Sequence, residues 1–268
     1  QEDLNARVCA ATFIGTLQAG YTDFHYLREV WKTTTEKDAL LGVSMTGIAS
    51  NKLKDLDLEE AVLLAKDVNL LIANEIGIKP AARITCVKPA GTSSCVLGTS
   101  SGIHAWHDKY YIRRVRVGKN EAIYGYLLQN HSNLVEDCVM RPHDTAVISL
   151  PQKSPEGAIT RNETALDLLE RVKWVATNWV NNGHTLGMNT HNVSATISIR
   201  ENEWDEVANW MWDNREFYNG LSVLPYDGGS YKQAPFESIT GDKYDELWDS
   251  LTSIDLKNVV ELEDNTDL

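Results

Sequence analysis

The apolar positions of this chain follow two periods, one typical of helices and one typical of strands. A stripe of small and apolar residues predicts a buried helix over 5–19. A second helix is predicted from Asp57, which forms a capping-box pattern with Glu60, to Ile76, just before Gly77. Strands are predicted at 41–49, 83–88, 110–117, 145–150, 192–199 and 221–224.

The second half of the chain continues this alternation. Thr160 and Glu163 predict another capping box, which would begin a helix. Its apolar stripe is Leu166, Leu169, Val172, Ala176 and Trp179. Further helices are predicted at 119–130, 204–212 and 242–251. Alternating strands and helices predict an α/β fold. Because we find no repeat and no linker, we expect residues 1–268 to form a single unit, with 255–268 as a loosely packed tail.

Charge and composition narrow the classes of protein. The net charge of −13 argues against a binder of nucleic acids or anionic membranes, because such surfaces need clustered Lys and Arg. The sequence has neither a membrane-length apolar run nor a signal-peptide pattern, so we expect a cytoplasmic location. The four cysteines lack a Cys-x-x-Cys spacing, which favours reduced thiols over a disulfide scaffold or a zinc site.

The strongest chemical signal follows the predicted strand at 83–88. Pro89 fixes its own φ, Gly91 would permit a sharp turn, and hydroxyls then surround backbone amides at a helix N-terminus, which is a setting that suits phosphate. An ordinary Ser/Thr capping turn is the alternative, since this is not the Walker spacing. A second stretch, 98–102, could form another anion-facing turn. The candidate substrate-binding residues are Lys88, Pro89, Ala90, Gly91, Thr92, Ser93 and Ser94.

Other polar residues give weaker signals. On the strand at 110–117, Arg114 and Arg116 would share one face and Arg113 the other, either as cations for the turn or as a solvated strand edge. His104 and His107 have no Cys or clear carboxylate nearby, so we predict no metal site there.

Two further segments contain candidate functional residues. For His184 and His191, which bracket a Gly/Asn-rich loop, packing or hydrogen bonding is favoured over catalysis. Pro225, Tyr226 and Asp227 directly follow a strand, and we interpret them as the rim of a pocket. We find no catalytic triad and no GxGxxG, and none of the four cysteines is followed two residues later by Glu. No catalytic residue is therefore predicted in this chain.

Four ordered motifs carry a resemblance to a known family. VKPAGTSS, LGTSSGIHAWHDKYYIRRVRV, NTHNVSATISI and GLSVLPYDGGSYKQAPFESIT together resemble the catalytic subunit of ribonucleotide reductases. The nearest likeness is to class II, the adenosylcobalamin-dependent ribonucleoside-triphosphate reductases. The resemblance runs from about residue 20 to residue 250. It implies the C-terminal half of a ten-stranded α/β barrel, with positions 89–94 holding the substrate's phosphates.

The same resemblance implies a division of labour. In the family, the radical cysteine, which is followed two residues later by glutamate, lies ahead of the segment that this chain matches, and a second cysteine pair lies beyond it. This chain is therefore expected to be a C-terminal portion that needs an N-terminal portion for activity. The implied activity is radical reduction of ribonucleotides with adenosylcobalamin and a thioredoxin-type reductant. Class I membership, a non-catalytic nucleotide-binding or assembly module and the choice between di- and triphosphate substrates remain open.

Overall fold

The computed structural model of this chain describes residues 1–228 and 231–260. These residues form two compact units. Unit 1 comprises Gln1–Trp106 and Gly157–Tyr226, and unit 2 comprises His107–Glu156 and Asp227–Leu268. The prediction that 1–268 is a single part of a barrel stays a prediction. Of the predicted tail, 261–268 lie outside the described residues.

Eight helices and eight strands are present in the described ranges. The helices are α1 (Glu2–Ala19), α2 (Glu29–Asp38), α3 (Leu58–Ile76), α4 (Gly91–Val96), α5 (Ala122–Asn130), α6 (Ala165–Val175), α7 (Trp204–Asp213) and α8 (Gly241–Asp249). The strands are β1 (Val43–Ser44), β2 (Thr85–Cys86), β3 (Tyr110–Gly118), β4 (Val135–Asp137), β5 (Thr145–Lys153), β6 (Thr196–Ile199), β7 (Ser222–Pro225) and β8 (Phe236–Ser238).

Unit 1 is built on parallel strands. β1 pairs with β2, and β6 pairs with β7, both in parallel. A parallel bridge between Val87 and Val193 links the end of β2 to the segment that leads into β6. Helix α3 connects β1 to β2, α6 precedes β6, and α7 connects β6 to β7. Parallel neighbours need such crossovers, so the predicted α/β class is confirmed.

The ends of the long helices follow their local sequence. Asp57 accepts a hydrogen bond from the Glu60 amide at 2.9 Å, and α3 ends at Gly77, whose φ is +73°. The predicted start of α6 was wrong by one turn. Thr164 and Asp167 form the capping box instead, while Glu163 pairs with Arg171. A π-helical turn, Ala176–Val180, continues α6.

Helix α1 is less buried than predicted. It buries only Val8, Thr12 and Thr16 among its described side chains, and its main helical neighbour is α3. Phe13 and Ile14 are 43% and 61% exposed. The helix is confirmed, but only the face that carries Val8, Thr12 and Thr16 is buried as predicted.

The core of unit 1 lies between its strands and its helices. Its largest fully buried side chains include Trp179, Ile84, Ile103 and Leu169.

Unit 2 contains an antiparallel sheet in the order β4–β5–β3–β8. Its strands β3 and β5 pair along nine residues, from Tyr110 opposite Lys153 to Gly118 opposite Thr145. Within the described ranges, no helix combines the length and the apolar character needed to cross a bilayer.

Candidate functional site

The turn formed by residues 88–94 lies at the carboxyl end of β2. Because the strands of unit 1 are parallel, the loop after β1 leaves the sheet at the same edge. In α/β sheets, ligands bind outside the carboxyl ends of the strands. The position of the 88–94 turn in the fold is therefore one where a binding site is expected.

Lys88 is held at this edge by neutral partners. Its backbone N–H donates to Ser44 Oγ at 3.0 Å, and its Nζ donates to Ser194 Oγ at 3.1 Å. The residue is exposed, and no carboxylate among residues 1–228 and 231–260 pairs with it. An ammonium group with only hydroxyl partners keeps its charge available for an anion.

The first turn of α4 supplies backbone donors beside this cation. The Ala90 N–H donates to Ser101 Oγ at 2.9 Å, and the Ser94 N–H donates to the Ala90 carbonyl at 3.1 Å. In the part of the chain that the structure describes, the amides of Gly91, Thr92 and Ser93 have no hydrogen-bond acceptor. All three residues are exposed. Free amides at a helix start attract anions through their N–H groups.

Gly91 does not have the role that the sequence suggested. We predicted that it permits a sharp turn, but it is the first residue of α4, and its φ lies outside the left-handed region. A Cβ added at Gly91 would meet nothing within 4 Å. The glycine that the turn requires is Gly102, whose φ is +54° and whose added Cβ would lie 2.7 Å from the Lys88 carbonyl oxygen.

The segment 98–103 supports the 88–94 turn, and the prediction that it forms a second anion-facing turn was wrong. The Ser100 carbonyl accepts from the Gly47 amide at 2.9 Å and from Thr46 Oγ1 at 3.0 Å. The Gly102 amide donates to Thr46 Oγ1 at 2.9 Å. Ser100 and Gly102 are buried, so this segment packs between the loop after β1 and the 88–94 turn.

His104 joins this support to the next strand. Its Nε2 accepts from the Thr196 amide at 3.0 Å, which leaves Nδ1 as the protonated nitrogen that donates to the Ser101 carbonyl at 3.1 Å. Burial lowers the pKa of His104, and the nearby Arg171 lowers it further, against raising contributions from Ser101 and Glu163. The imidazole is therefore neutral in the fold and has a fixed tautomer.

The arginines of β3 are engaged within unit 2. Arg114 and Arg116 do share a face, since both donate to backbone carbonyls of the 233–234 segment at 3.2 Å. Arg114 also pairs with Glu237 at 2.5 Å, and its side chain is 12% exposed. The alternative of a solvated strand edge was therefore wrong for Arg114.

His184 and His191 make hydrogen bonds, as predicted. His191 Nε2 lies 2.7 Å from the Leu41 carbonyl oxygen, and His184 Nε2 lies 2.9 Å from that of Gly187. Their hydrogen-bonding role is confirmed. His107 lies in unit 2, where its ring stacks on Phe236 with centroids 5.2 Å apart.

The segment after β7 divides between the units. In unit 1, Pro225 ends β7, and the Tyr226 amide donates to the Ile199 carbonyl at 2.8 Å. The Arg200 guanidinium lies 5.4 Å from the centre of the exposed Tyr226 ring. Asp227 is exposed and begins the second segment of unit 2. Their role as a pocket rim stays a prediction.

Sequence reasoning missed the residues that hold the turn in place. Three serines of unit 1 bond to it directly, namely Ser44, Ser101 and Ser194. His104 acts one step away, through its bond to the Ser101 carbonyl. No local pattern marks such residues, because their role depends on which strands become neighbours.

Comparison with known proteins gives this geometry a family context. No family model matches the chain. It is 28% identical to the adenosylcobalamin-dependent ribonucleoside-triphosphate reductase of Euglena gracilis, over 81% of this chain and 30% of that protein. The enzyme of the same name from Lactobacillus helveticus is 26% identical, over 88% of this chain and 35% of the relative.

A solved structure agrees with these relatives. The fold matches a B-12 dependent (class II) ribonucleotide reductase with a TM-score of 0.74 and 20% identity, over 91% of this chain and 38% of the other. This chain thus spans about a third of the length of the proteins that it matches. The resemblance and the α/β fold class predicted from the sequence are confirmed: the chain is a relative of the adenosylcobalamin-dependent ribonucleoside-triphosphate reductases and matches part of the α/β fold of a class II reductase.

Proposed function

We propose that this chain is the C-terminal portion of a class II ribonucleotide reductase, which reduces ribonucleotides, as triphosphates, to deoxyribonucleotides by a radical mechanism. One observation carries the proposal. The 88–94 turn presents the three unpartnered amides of Gly91, Thr92 and Ser93 beside the uncompensated Lys88 ammonium, in a chain whose relatives bear that enzyme's name.

The role of the turn is to hold the substrate's phosphates. Each hydrogen bond to a charged group contributes about 1.5–3 kcal/mol, so two or three amides with Lys88 can fix a triphosphate firmly. Pro89 and Ala90 set the path into α4, and Ser94 fastens its first turn through bonds to the Ala90 carbonyl. A fixed phosphate tail limits where the ribose can lie, which radical transfer requires.

The exposed Pro225 and Tyr226 of unit 1, which Asp227 follows in the chain, complete the proposal as the rim of the substrate pocket. Tyr226 follows β7 at its carboxyl end, as Lys88 follows the carboxyl end of β2. Loops at the carboxyl ends of parallel strands provide binding residues in α/β folds.

Adenosylcobalamin is the cofactor proposed for the assembled enzyme, but a cavity in unit 1 does not fit it. A cavity of about 520 Å³ in unit 1 is lined by Ile48, Leu53, Ile159 and Trp174, together with charged side chains. It is too small for a corrin ring with its nucleotide and adenosyl groups. Of its carboxylates, Glu163 is already paired with Arg171, and Asp167 with Thr164. We therefore derive no step through cobalamin from this chain.

The thiols also argue for a partner. None of the four cysteines forms a disulfide, and burial raises the pKa of Cys86, which is typical of an unreactive structural thiol. Since no cysteine here stands two residues before a glutamate, we assign the radical and reducing thiols to an N-terminal portion, and re-reduction to a thioredoxin-type protein. Cysteines without disulfides also suit the cytoplasmic location that we propose.

The test is reconstitution. The purified chain is assayed for reduction of ribonucleoside triphosphates with adenosylcobalamin and a dithiol, alone and with a polypeptide that carries the Cys-x-Glu loop. We expect turnover in the mixture only, and turnover that depends on cobalamin. Activity of the chain alone would contradict the division of labour, and cobalamin-independent turnover would point to class I. Nucleotide binding without turnover in any mixture would favour an assembly module.

A further inference from the structure

The 88–94 turn is fastened twice to the same stretch of β6 and the residues before it. The direct connection runs from Lys88 Nζ to Ser194 Oγ, at 3.1 Å. The indirect connection starts at the Ala90 N–H, which donates to Ser101 Oγ at 2.9 Å. It continues from the Ser101 carbonyl through the His104 ring to the Thr196 amide.

His104 is the only side chain in the indirect connection that bonds on both sides. Its Nδ1–H donates to the Ser101 carbonyl at 3.1 Å, and its Nε2 accepts from the Thr196 amide at 3.0 Å. The backbone amide of His104 also donates to the Ser101 carbonyl, at 2.9 Å. The ring therefore adds a link to a strand, whereas the backbone bond closes a local turn only.

We propose that His104 is a positioning residue: it sets Ser101 relative to β6, and through Ser101 it sets the Ala90 amide and the start of α4. The inference rests on the proposed phosphate-binding role of the 88–94 turn. Ala90 immediately precedes the three amides that would contact phosphate, so a shift of Ala90 moves all of them. A neutral ring is required, because a proton on Nε2 would face the Thr196 N–H.

The surroundings keep the ring neutral. The charged groups that face His104 are Arg171 of α6 and Glu163, which precedes α6. They pair with each other at 2.7 and 2.8 Å through both terminal guanidinium nitrogens, and Arg171 Nε donates to the Ile103 carbonyl at 3.2 Å. Since Glu163 is already neutralised by Arg171, it offers little stabilisation to an imidazolium.

Two variants at His104 and one elsewhere separate positioning from general destabilisation. His104→Ala removes both bonds, whereas His104→Asn keeps a donor near the position of Nδ1 for the Ser101 carbonyl. His191→Ala is the matched control. His191 is another partly buried histidine of unit 1, and it bonds to the Leu41 carbonyl, away from the 88–94 turn.

The readouts are the exchange rate of the Ala90 amide, measured by NMR, and the affinity for CTP, measured by calorimetry on the same 268-residue chain. We expect Ala90 exchange to be about 5- to 10-fold faster in His104→Ala. This factor corresponds to the loss of one hydrogen bond, the one from the Ala90 N–H to Ser101 Oγ. The CTP affinity should fall by a similar factor. His104→Asn should recover part of both losses, and His191→Ala should change neither.

The outcomes distinguish this inference from the proposed function. Unchanged Ala90 exchange in His104→Ala, or equal acceleration in His191→Ala, would overturn the positioning role. Faster exchange with unchanged CTP affinity would also overturn it. If the exchange results are as expected but the wild-type chain does not bind CTP, His104 still positions the turn and the phosphate assignment falls.

An acid arm keeps the test valid if His104→Ala does not fold. On acidification below about pH 6.5, the wild type should lose Ala90 protection relative to His104→Asn at the same pH, because only the wild type has an imidazole to protonate. Parallel behaviour of the two proteins would contradict the inference.

Discussion

The tetrapeptide Gly-Thr-Ser-Ser occurs twice within twelve residues of sequence, as 91–94 and as 98–101, with opposite surroundings. In the first copy, Gly91, Thr92 and Ser93 are exposed and their amides lack partners among the described residues. In the second, Ser100 is buried and its carbonyl accepts two hydrogen bonds. Two segments of the same sequence therefore differ in their capacity to bind a ligand. The copy with free donors can bind a ligand, while the bonded copy supports it.

Gly91 and Gly102 also differ in how open their surroundings are. A substitution at Gly102 has the largest expected effect. Gly102→Ala should lower the free energy of unfolding by about 2–4 kcal/mol, since it adds strain at a positive φ to a clash with backbone. Its Cβ would lie 2.7 Å from the Lys88 carbonyl oxygen, at a φ of +54°. Urea denaturation measures the change.

Gly91→Ala is the matched control for that experiment. Its Cβ would meet nothing within 4 Å, so the free energy of unfolding should stay within about 0.5 kcal/mol of the wild type. Similar losses in the two variants would show that the surroundings of Gly91 and Gly102 do not differ as described.

A larger side chain at Gly91 tests binding instead of folding. Gly91→Val should weaken substrate binding by about 10- to 100-fold, because it would obstruct at least one amide bond to phosphate worth about 1.5–3 kcal/mol. Assembly with the N-terminal portion should be unchanged. The substrate affinity of the assembled enzyme is the measurement.

Leu97→Val, just after α4, provides the control, since Leu97 is 64% exposed and lies outside the 88–94 turn. It should leave the affinity unchanged. An unaltered affinity in Gly91→Val would count against the phosphate assignment.

The smallest expected effect is a pH dependence of the free energy of unfolding, to which His104 contributes. Burial lowers the pKa of both His104 and His191 below the ordinary 6.5. The unfolded chain therefore binds more protons than the folded one on acidification, so the stabilisation is complete above about pH 6.5 and is lost as the pH falls through the folded values. The midpoint of urea unfolding should decrease over this range, with a shallower decrease in His104→Asn.

His25→Asn serves as the control, because the His25 side chain is 73% exposed. It should leave the slope of the wild type unchanged. The same slope in His104→Asn and in the wild type would show that His104 does not contribute to it.

Local signals were predictable from the sequence. Asp57 caps α3 because its side chain reaches an amide three residues away, and β3 formed where β-forming residues are continuous. Two cap patterns overlap before α6, and the prediction of Thr160 was wrong because Thr164 caps the helix. Helix α2 was missed because Glu29–Asp38 has no apolar stripe, and the three-residue strands β4 and β8 were also missed.

The candidate site shows more clearly what could not be predicted from the sequence. The 88–94 turn was identified from its residue types, but the importance of Gly102 depends on the backbone of Lys88 and could not be read locally. The role of His104 depends on Thr196, in a strand far along the chain. Long-range partners determine which of several similar polar residues is placed for a function.

The pairing of Val87 with Val193 also bears on how the chain folds. The whole segment His107–Glu156 of unit 2 lies between these two residues. Closing so long a loop is entropically costly, and a high contact order slows folding. The β3–β5 ladder is contained within that segment, so its early formation would shorten the effective loop. We expect the parallel sheet of unit 1 to be the late step in folding, and its completion to create the carboxyl edge on which the 88–94 turn rests.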